Sequence, residues 1–430
     1  MTVAGSAQPA GGRESLRIAL LSYRGRDHCG GQGVYVRNLS RELARLGHAV
    51  DVLAGQPYPT LDDGVRLTPL PSLDLYRDDD PFRLPAPREF RDWIDATEFA
   101  TMCAAGFPEP LTFSLRAWRH LRRGRQRYDV VHDNQSLGYG LLGIQRAGLP
   151  LVATIHHPIT VDRRIALADA TGWQRLSLRR WYGFLAMQRR VARRLPTLIT
   201  VSESSRDDII RDFAVPAQRL RVVPAGIDPE VFRPPAEPDR IPGRIVTTAS
   251  ADVPLKGLVF LLEALAKVRT EHDVHLVVIG KARPGGPLVK ALRRLGIEEA
   301  VEFRSGLSQD ELVTTMQRAE IAVVPSLYEG FSLPAVEMMA CATPLIATTG
   351  GALPEVVGRD GETALLVPPG DQEALAVALR RLISDEALRA RLGAAGHARA
   401  HARFTWRAAA RATAEVYRTR LHAGGPRAHG

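Results

Sequence analysis

Residues Pro325 to Gly351 read PSLYEGFSLPAVEMMACATPLIATTGG, and this stretch indicates the fold of the chain. Just before it, residues 321–324 (IAVV) form a short apolar run closed by a proline, which is typical of a buried parallel strand. A turn around Gly330 is followed by helix formers from 335 to 340, which predict a helix. A strand, a glycine turn and a helix start favour anion binding, because unpaired backbone N–H groups and the helix dipole attract negative charge.

Two glutamates, Glu329 and Glu337, lie on either side of this turn within EGFSLPAVE. Carboxylates beside an anion site would repel a phosphate, so they need other partners. Sugar or ribose hydroxyls donate hydrogen bonds to carboxylates and fit that need. Two glutamates at this spacing occur often by chance, and taken alone they favour a solvated helix face.

The stretch resembles the paired-glutamate motif of the retaining glycosyltransferases of family 4, which have the GT-B fold, and the resemblance covers nearly the whole chain. It implies that Glu329 faces the donor sugar and that Glu337 holds the ribose of the nucleotide. It also implies that the intervening backbone holds the donor diphosphate. The backbone positions concerned are Gly330, Phe331, Ser332 and Leu333.

A second matching motif lies at Lys256 and Gly257, which resemble the Lys-Gly pair of the family. The resemblance implies that Lys256 binds the donor phosphates as a point charge. The family arginine expected five residues earlier is replaced by Ala251. This departure weakens the expected phosphate clamp and bears on transfer rate and donor affinity.

The N-terminal half begins with a predicted βαβ unit: a strand at 16–22, a helix at 34–46 and a strand at 49–53. Its glycine loop does not fit the GxGxxG spacing, and Asp51 lies inside the second strand, so a dinucleotide-binding dehydrogenase is disfavoured. Gly30 and Gly31 instead resemble the glycine loop that lets the backbone of the family approach the donor diphosphate or sugar.

His156 and His157 follow the predicted strand 151–155 (LVATI). A histidine at the carboxyl end of such a strand lies where ligands bind in α/β domains. The sequence ATIH also resembles the strand-ending T-x-H of the family, whose histidine lies close to the donor sugar. His156 is therefore the predicted active-site histidine, with His157 as its neighbour.

Residues 174–195 (QRLSLRRWYGFLAMQRRVARRL) have a helical period, with seven arginines on one half and apolar residues on the other. The apolar residues are Trp181, Phe184, Leu185, Val191 and Leu195. One interpretation is a surface helix that packs on the first domain. The other is peripheral attachment to anionic lipid, which each basic residue strengthens. Both can hold at once.

Length and composition restrict the number of domains, the kinds of partner and the cellular environment. A chain of 430 residues is expected to form two domains. Its net charge of +10 suits anionic partners, including nucleotides, nucleic acids and membrane surfaces, without choosing among them. Three widely separated cysteines argue against a disulfide framework or a zinc site and fit a reducing cytosol. The sequence contains no apolar run of membrane-spanning length.

The predicted architecture is α/β and GT-B: two Rossmann-like domains with parallel, doubly wound sheets that face each other across a cleft. Residues 1–15 are expected to be a disordered tail rather than a signal peptide. The segments that follow are an N-terminal acceptor-side domain (16–225), a linker (226–243), a C-terminal nucleotide-sugar-binding domain (244–403) and a terminal helix (404–421) that crosses back to the first domain.

The implied reaction moves a hexosyl unit, with retention, from a nucleotide diphosphate sugar to a hydroxyl of a lipid-linked or polysaccharide glycan. His156, Glu329 and Lys256 are the expected catalytic residues, with no metal, no cofactor and no nucleic acid partner. The expected location is cytoplasmic, with attachment to the inner membrane face as an option. A nucleotide-sugar epimerase of the same fold and an inactive nucleotide-sugar-binding protein are the alternatives, and the donor sugar and base stay open.

Overall fold

The structure, a computed structural model, describes residues 15–25, 31–77, 79–124, 127–168, 170–236, 239–249 and 253–423. Its N-terminal half contains a parallel sheet in the order β3-β2-β1-β4-β5-β6-β7. The strands are β1 (Arg17–Ser22), β2 (Ala49–Ala54), β3 (Arg66–Pro69), β4 (Val130–Asn134), β5 (Leu151–Ile155), β6 (Leu198–Thr200) and β7 (Leu220–Val222). The first six positions follow the Rossmann strand order, whose ligand site lies where the order reverses, between β1 and β4.

Helices cover both faces of this sheet, which is why its central strands are almost entirely buried. The helices are α1 (Gly31–Arg45), α2 (Trp93–Cys103), α3 (Glu109–Arg123), α4 (Gly140–Arg146), α5 (Thr160–Ala168), α6 (Gly172–Trp181), α7 (Phe184–Ala192) and α8 (Glu203–Asp208). The helix α3 begins beside the carboxyl end of the sheet, and its Glu109 pairs with Arg24 just after β1.

The C-terminal half repeats the same plan, with a parallel sheet in the order β10-β9-β8-β11-β12-β13. The strands are β8 (Ile241–Thr248), β9 (His275–Ile279), β10 (Val301–Arg304), β11 (Ala319–Val324), β12 (Leu345–Thr348) and β13 (Ala364–Val367). Here the order reverses between β8 and β11, so the segments that follow these two strands are the expected ligand position.

Five of the eight helices of the second half start from a side-chain cap; Asp371, for example, accepts a hydrogen bond from the N–H of Ala374 at 2.9 Å. The helices are α9 (Leu258–Val268), α10 (Pro287–Leu295), α11 (Gln309–Gln317), α12 (Leu333–Ala340), α13 (Leu353–Val357), α14 (Gln372–Ser384), α15 (Glu386–Arg403) and α16 (Trp406–His422). The predicted α/β architecture with two doubly wound parallel sheets is confirmed.

The basic segment 174–195 differs from its prediction, because it forms two helices, α6 and α7, instead of one. The N–H of Gly183 bonds to the carbonyl of Arg180, three residues earlier, and this tight turn separates the helices. Glycine lowers helix propensity, and the periodicity that predicted a single helix does not register such a break. Of the predicted apolar side, Leu185, Val191 and Leu195 are buried.

The last helix, α16, packs on α1 of the N-terminal half. The chain arrives there through an exchange of backbone hydrogen bonds: Ile227 bonds to Phe404, and Trp406 bonds back to Ile227. The fully buried Tyr417 then places its hydroxyl 2.6 Å from Nδ1 of His132 on β4. The C-terminal helix therefore belongs to the core of the first domain.

We expect Tyr417→Phe to lower the free energy of unfolding by about 1–3 kcal/mol, because the buried Nδ1 of His132 loses its partner. Thermal unfolding of the variant and of wild type measures the difference. Tyr58→Phe is the control, since the Tyr58 ring is 37% exposed. A melting temperature for Tyr417→Phe equal to that of the control would contradict this assignment.

Candidate functional site

The two halves meet where the turn after β11 touches the end of β5. Gly330 lies so close that a Cβ atom there would be 3.0 Å from the carbonyl oxygen of His156 and 3.1 Å from Cβ of His157. The carbonyl of Gly330 accepts a hydrogen bond of 2.6 Å from the hydroxyl of Ser202. The hydroxyl of Ser205 lies 2.8 Å from the His156 carbonyl and 3.1 Å from the Gly330 carbonyl. The structure thus brings the predicted turn and the predicted histidine into direct contact.

Further contacts hold the halves together around this point. Tyr328, in the β11 turn, donates a hydrogen bond to Asp208 at the end of α8. The carboxylate of Glu355, on α13, accepts the backbone N–H groups of Glu203 at 2.8 Å and Ser204 at 2.6 Å. These N–H groups belong to the first turn of α8, where a carboxylate is favoured by the helix dipole.

Lys256 and Glu329 form an ion pair, with Nζ 2.8 Å from Oε1. The same oxygen accepts a hydrogen bond of 2.7 Å from the hydroxyl of Ser326. The Glu329 side chain is 11% exposed and that of Lys256 is 29% exposed, so the pair lies at the surface of the cleft. The two predicted residues come from the segments after β8 and β11, at the reversal of strand order.

The approach of these two segments depends on Gly257. Its φ is +64°, and a Cβ atom there would lie 2.0 Å from the carbonyl oxygen of Pro325. A side chain at this position would both strain the backbone and push β11 away from the Lys256 turn. The Lys-Gly pair of the sequence is therefore explained by packing as well as by charge.

The turn itself presents unpaired backbone donors. In the part of the chain that the structure describes, the N–H groups of Phe331, Ser332 and Leu333 have no acceptor. Ser332 has a φ of +88° and caps α12, with its hydroxyl 3.4 Å from the N–H of Ala335. Phe331 packs edge-on against Phe404, at 5.5 Å between centroids. A non-glycine residue in this conformation is held by its surroundings, and the free N–H groups suit an anion.

Glu337 differs from Glu329 in its surroundings. It lies on α12, half-buried, and it makes neither a hydrogen bond nor an ion pair with any described residue. Burial raises the pKa of its carboxyl group to about 7. A ligand hydroxyl that donates to this carboxylate would replace the missing partner and favour the ionised form.

His156 is held by polar residues that follow β4. Its Nε2 donates to Oδ1 of Asn134 at 2.8 Å, its backbone N–H donates to Oε1 of Gln135 at 2.7 Å, and its ring packs edge-on on Tyr35 at 4.7 Å. Burial and the neighbouring His157 and His132 lower the pKa of His156 to about 3. The imidazole is therefore neutral near pH 7, with Nδ1 free to accept a hydrogen bond.

Asn134 and Gln135 were not among the predicted site residues. The signal that identifies them is DNQS, a polar run that begins at the end of the buried strand β4, beside the reversal of strand order. Two other residues singled out in the sequence, Gly30 and Ala251, lie outside the described residues. Gly31 is the first residue of α1 and is exposed, with no atom within 4 Å of an added Cβ.

Two observations concern metal and membrane. Among the residues that the structure describes, no group of three or more His, Cys, Asp or Glu side chains is placed to hold a metal ion. Within the same residues, none of the helices combines the length and hydropathy needed to cross a bilayer.

The comparison with protein families divides the chain as the two sheets do. Residues 29–231 match the family described as Glycosyltransferase Family 4, and residues 242–385 match Glycosyl transferases group 1. The chain is a family 4, group 1 glycosyltransferase. This bears out the assignment made from Glu329, Glu337 and Lys256 in the sequence.

Curated relatives of this glycosyltransferase agree with the family assignment. The chain is 55% identical over 403 residues to "MMP alpha-(1->4)-mannosyltransferase" of Mycolicibacterium hassiacum, covering 94% of this chain and 98% of the relative. It is 31% identical over 440 residues to "D-inositol 3-phosphate glycosyltransferase" of Streptomyces bingchenggensis, covering 94% and 90%. Nothing in these matches favours the epimerase or the inactive binding protein.

Solved structures share the fold of this glycosyltransferase. Sucrose-phosphate synthase of Thermosynechococcus elongatus superposes with a TM-score of 0.73 at 25% identity, covering 95% of this chain and all of that one. Anabaena HepE, solved in complex with UDP-glucose, superposes with a TM-score of 0.66 at 18% identity, covering 95% and 99%. Both alignments span the two halves together.

We expect Glu337→Gln to stabilise the protein at pH 8 by about 1–3 kcal/mol and to leave stability near pH 4.5 unchanged. The carboxyl titrates near 4.3 when unfolded and about 7 when folded, so the unfolded state binds fewer protons between these values. Stability therefore falls as the pH rises through this window, and the amide removes that loss.

The measurement is thermal unfolding of both proteins across this pH range. Glu299→Gln serves as the control, because Glu299 is exposed and has no partner among the described residues. Parallel pH profiles for wild type and Glu337→Gln would contradict the assignment of a buried, unpaired carboxyl group.

Proposed function

We propose that this glycosyltransferase transfers a mannosyl unit from a nucleotide diphosphate sugar to a glycan hydroxyl, forming an α-(1→4) linkage. The observation that carries the proposal is the pairing of Lys256 with Glu329 beside the unpaired N–H groups of residues 331–333. A cation and three backbone donors suit a diphosphate. The choice of mannose and of the linkage follows the activity for which the relative that is 55% identical is named.

We assign the donor contacts as follows. Lys256 and the N–H groups of residues 331–333 stabilise charge on the leaving diphosphate, so the reaction uses neither a metal ion nor another cofactor. Glu337 accepts hydrogen bonds from the ribose hydroxyls, which keeps its carboxylate ionised on binding. Glu329, held by Ser326, orients the donor sugar, and the neutral ring of His156 accepts a hydrogen bond from a sugar hydroxyl at Nδ1.

The proposed chemistry is displacement on one face of the sugar. The bond between the anomeric carbon and the diphosphate oxygen breaks as the acceptor oxygen bonds to the same face. The departing diphosphate oxygen takes the proton of the acceptor hydroxyl, so no protein base is needed. Transfer from an α-linked donor to an α-linked product then proceeds with retention.

The test is incubation with GDP-mannose, UDP-glucose or UDP-N-acetylglucosamine, each with and without an α-(1→4)-linked mannooligosaccharide. We expect an α-linked product by NMR with GDP-mannose, and undiminished activity in a chelator. Lys256→Ala is expected to lower kcat by about 10²–10³ through loss of stabilisation of the leaving group. The control is Lys267→Ala, because Lys267 pairs with Glu373 and with none of the proposed donor-site residues.

Three results would count against this proposal: an inverted anomer, activity that disappears with the chelator, or conversion of the donor sugar without acceptor. A different preferred donor would overturn the mannosyl assignment alone. Equal rates for Lys256→Ala and Lys267→Ala would overturn the role of Lys256.

We also propose that the enzyme works in the cytoplasm and attaches peripherally to an anionic membrane face through α6. No residue of α6 is buried, and Trp173 (81% exposed) and Leu176 (46% exposed) project apolar surface beside Arg175 and Arg179. Amphipathic helices of this composition bind interfaces through apolar insertion and through attraction of their cations to anionic lipid. A lipid-linked glycan acceptor would be reached from this position.

Cosedimentation with vesicles tests the attachment. We expect wild type to bind anionic vesicles at low salt, less at high salt, and neutral vesicles weakly. Arg175→Glu with Arg179→Glu is expected to weaken binding at least about tenfold, since each basic residue contributes about 1 kcal/mol. Leu84→Ser, at a 79% exposed position outside α6, is the control. Equal binding of wild type to anionic and neutral vesicles, or no binding to anionic vesicles at low salt, would contradict the membrane proposal. Neither result would bear on the proposed transfer reaction.

A further inference from the structure

An aromatic cluster lies on the N-terminal half at the carboxyl edge of its sheet. We define it as Tyr76, Phe82, Phe107, Trp181 and Phe184. Neighbouring ring centroids lie 5.0 Å apart for Phe107 and Trp181, 5.4 Å for Tyr76 and Phe82, and 5.6 Å for Tyr76 and Trp181. The rings come from the loop after β3, the segment before α3 and the junction of α6 with α7, so the fold assembles them from distant parts of the chain.

The aromatic cluster is open to solvent. Phe82 is 59% exposed, and the other four rings are half-buried. Burying an aromatic ring contributes a large favourable free energy. Rings whose faces stay accessible in the folded protein can therefore still gain this free energy by binding a ligand. None of these rings belongs to the donor contacts proposed above.

A charged pair lies at the base of the aromatic cluster. The guanidinium of Arg24 is 5.8 Å from the ring centroids of both Tyr76 and Phe107. Its Nη2 donates to Oε1 of Glu109 at 2.7 Å. Because the guanidinium is already paired with Glu109, the site offers hydrogen-bond donors and acceptors but no unpaired cation. This favours a neutral, hydroxyl-rich ligand over a phosphate or an anionic lipid headgroup.

The aromatic cluster lies at the same edge of the sheet as His156. Ser22, at the end of β1, is in register with Asn134, which bonds to His156, and Arg24 follows two residues after Ser22. On the other side, burial and the charge of Asp162 raise the pKa of Tyr182, next to Trp181. Asp162 lies 3.2 Å from Nε2 of His157, the residue against which Gly330 packs. The rings and the reaction centre therefore share the carboxyl edge of one sheet.

We propose that the aromatic cluster docks the acceptor glycan, binding sugar units beyond the one that receives the transferred mannose. The inference rests on the proposed function. Sugar rings present apolar C–H faces that stack on aromatic rings, while their hydroxyls pair with groups such as Arg24 and Glu109. The consequence is a preference for longer acceptors, since further sugar units add contacts with the rings.

The test uses Phe82→Ala and Trp181→Ala, with Trp93→Ala as the matched control, because Trp93 is 61% exposed and makes no ring contact with any described aromatic residue. Binding of an α-(1→4)-linked mannotetraose is measured without donor, by saturation-transfer NMR and titration. We expect each cluster variant to bind the tetrasaccharide at least tenfold more weakly, with unchanged affinity for GDP-mannose and unchanged transfer to methyl α-mannoside.

In steady state, the variants are expected to raise the acceptor KM with little change in kcat. Tetrasaccharide affinity equal to wild type in both variants would overturn the docking proposal, as would a loss of vesicle binding without a loss of glycan binding. Melting temperatures confirm folding, and Phe82 is exposed enough that its truncation leaves the core intact. Tetrasaccharide binding is measured without donor. A failure of mannosyl transfer would therefore contradict the proposed reaction, whereas the binding affinities would still test the docking proposal.

Discussion

The contact of Gly330 with the end of β5 is the constraint on which the active site depends. A Cβ atom on Gly330 would lie only 3.0 Å from the carbonyl oxygen of His156, and the Gly330 carbonyl is shared by the hydroxyls of Ser202 and Ser205. The two sheets therefore meet at a point defined by backbone atoms. The turn with the free N–H groups and the strand end with His156 are neighbours because this point is fixed.

The charge of Lys256 on the donor side of the site is balanced before a ligand binds. Lys256 is neutralised by Glu329, which limits the cost of an unpaired charge in the cleft. Glu337 is left unpaired, and burial keeps the pKa of its carboxyl near neutrality instead. The site thus tolerates one unsatisfied carboxyl group whose partner must come with the ligand.

Much of the fold follows from the sequence, because most buried strands are short apolar runs and motifs follow β1, β5, β8 and β11. β5 and His156 were predicted at their observed positions on this ground. The ion pair between Lys256 and Glu329 could not be predicted, since only the sheet order places β8 beside β11. Asn134 and Gln135 were missed because strand-end polar residues have no fixed spacing. The break at Gly183 was missed because the periodicity of arginines runs through it.

The packing of α16 on α1 has a consequence for synthesis. The core of the first domain contains Tyr35 and Val36 from α1 together with Trp406, Ala410 and Tyr417 from the last helix. A chain growing from its N-terminus therefore exposes the apolar face of α1 until α16 has been added. The first half to be translated is the last to be completed, so its unfinished core must stay shielded from aggregation throughout synthesis.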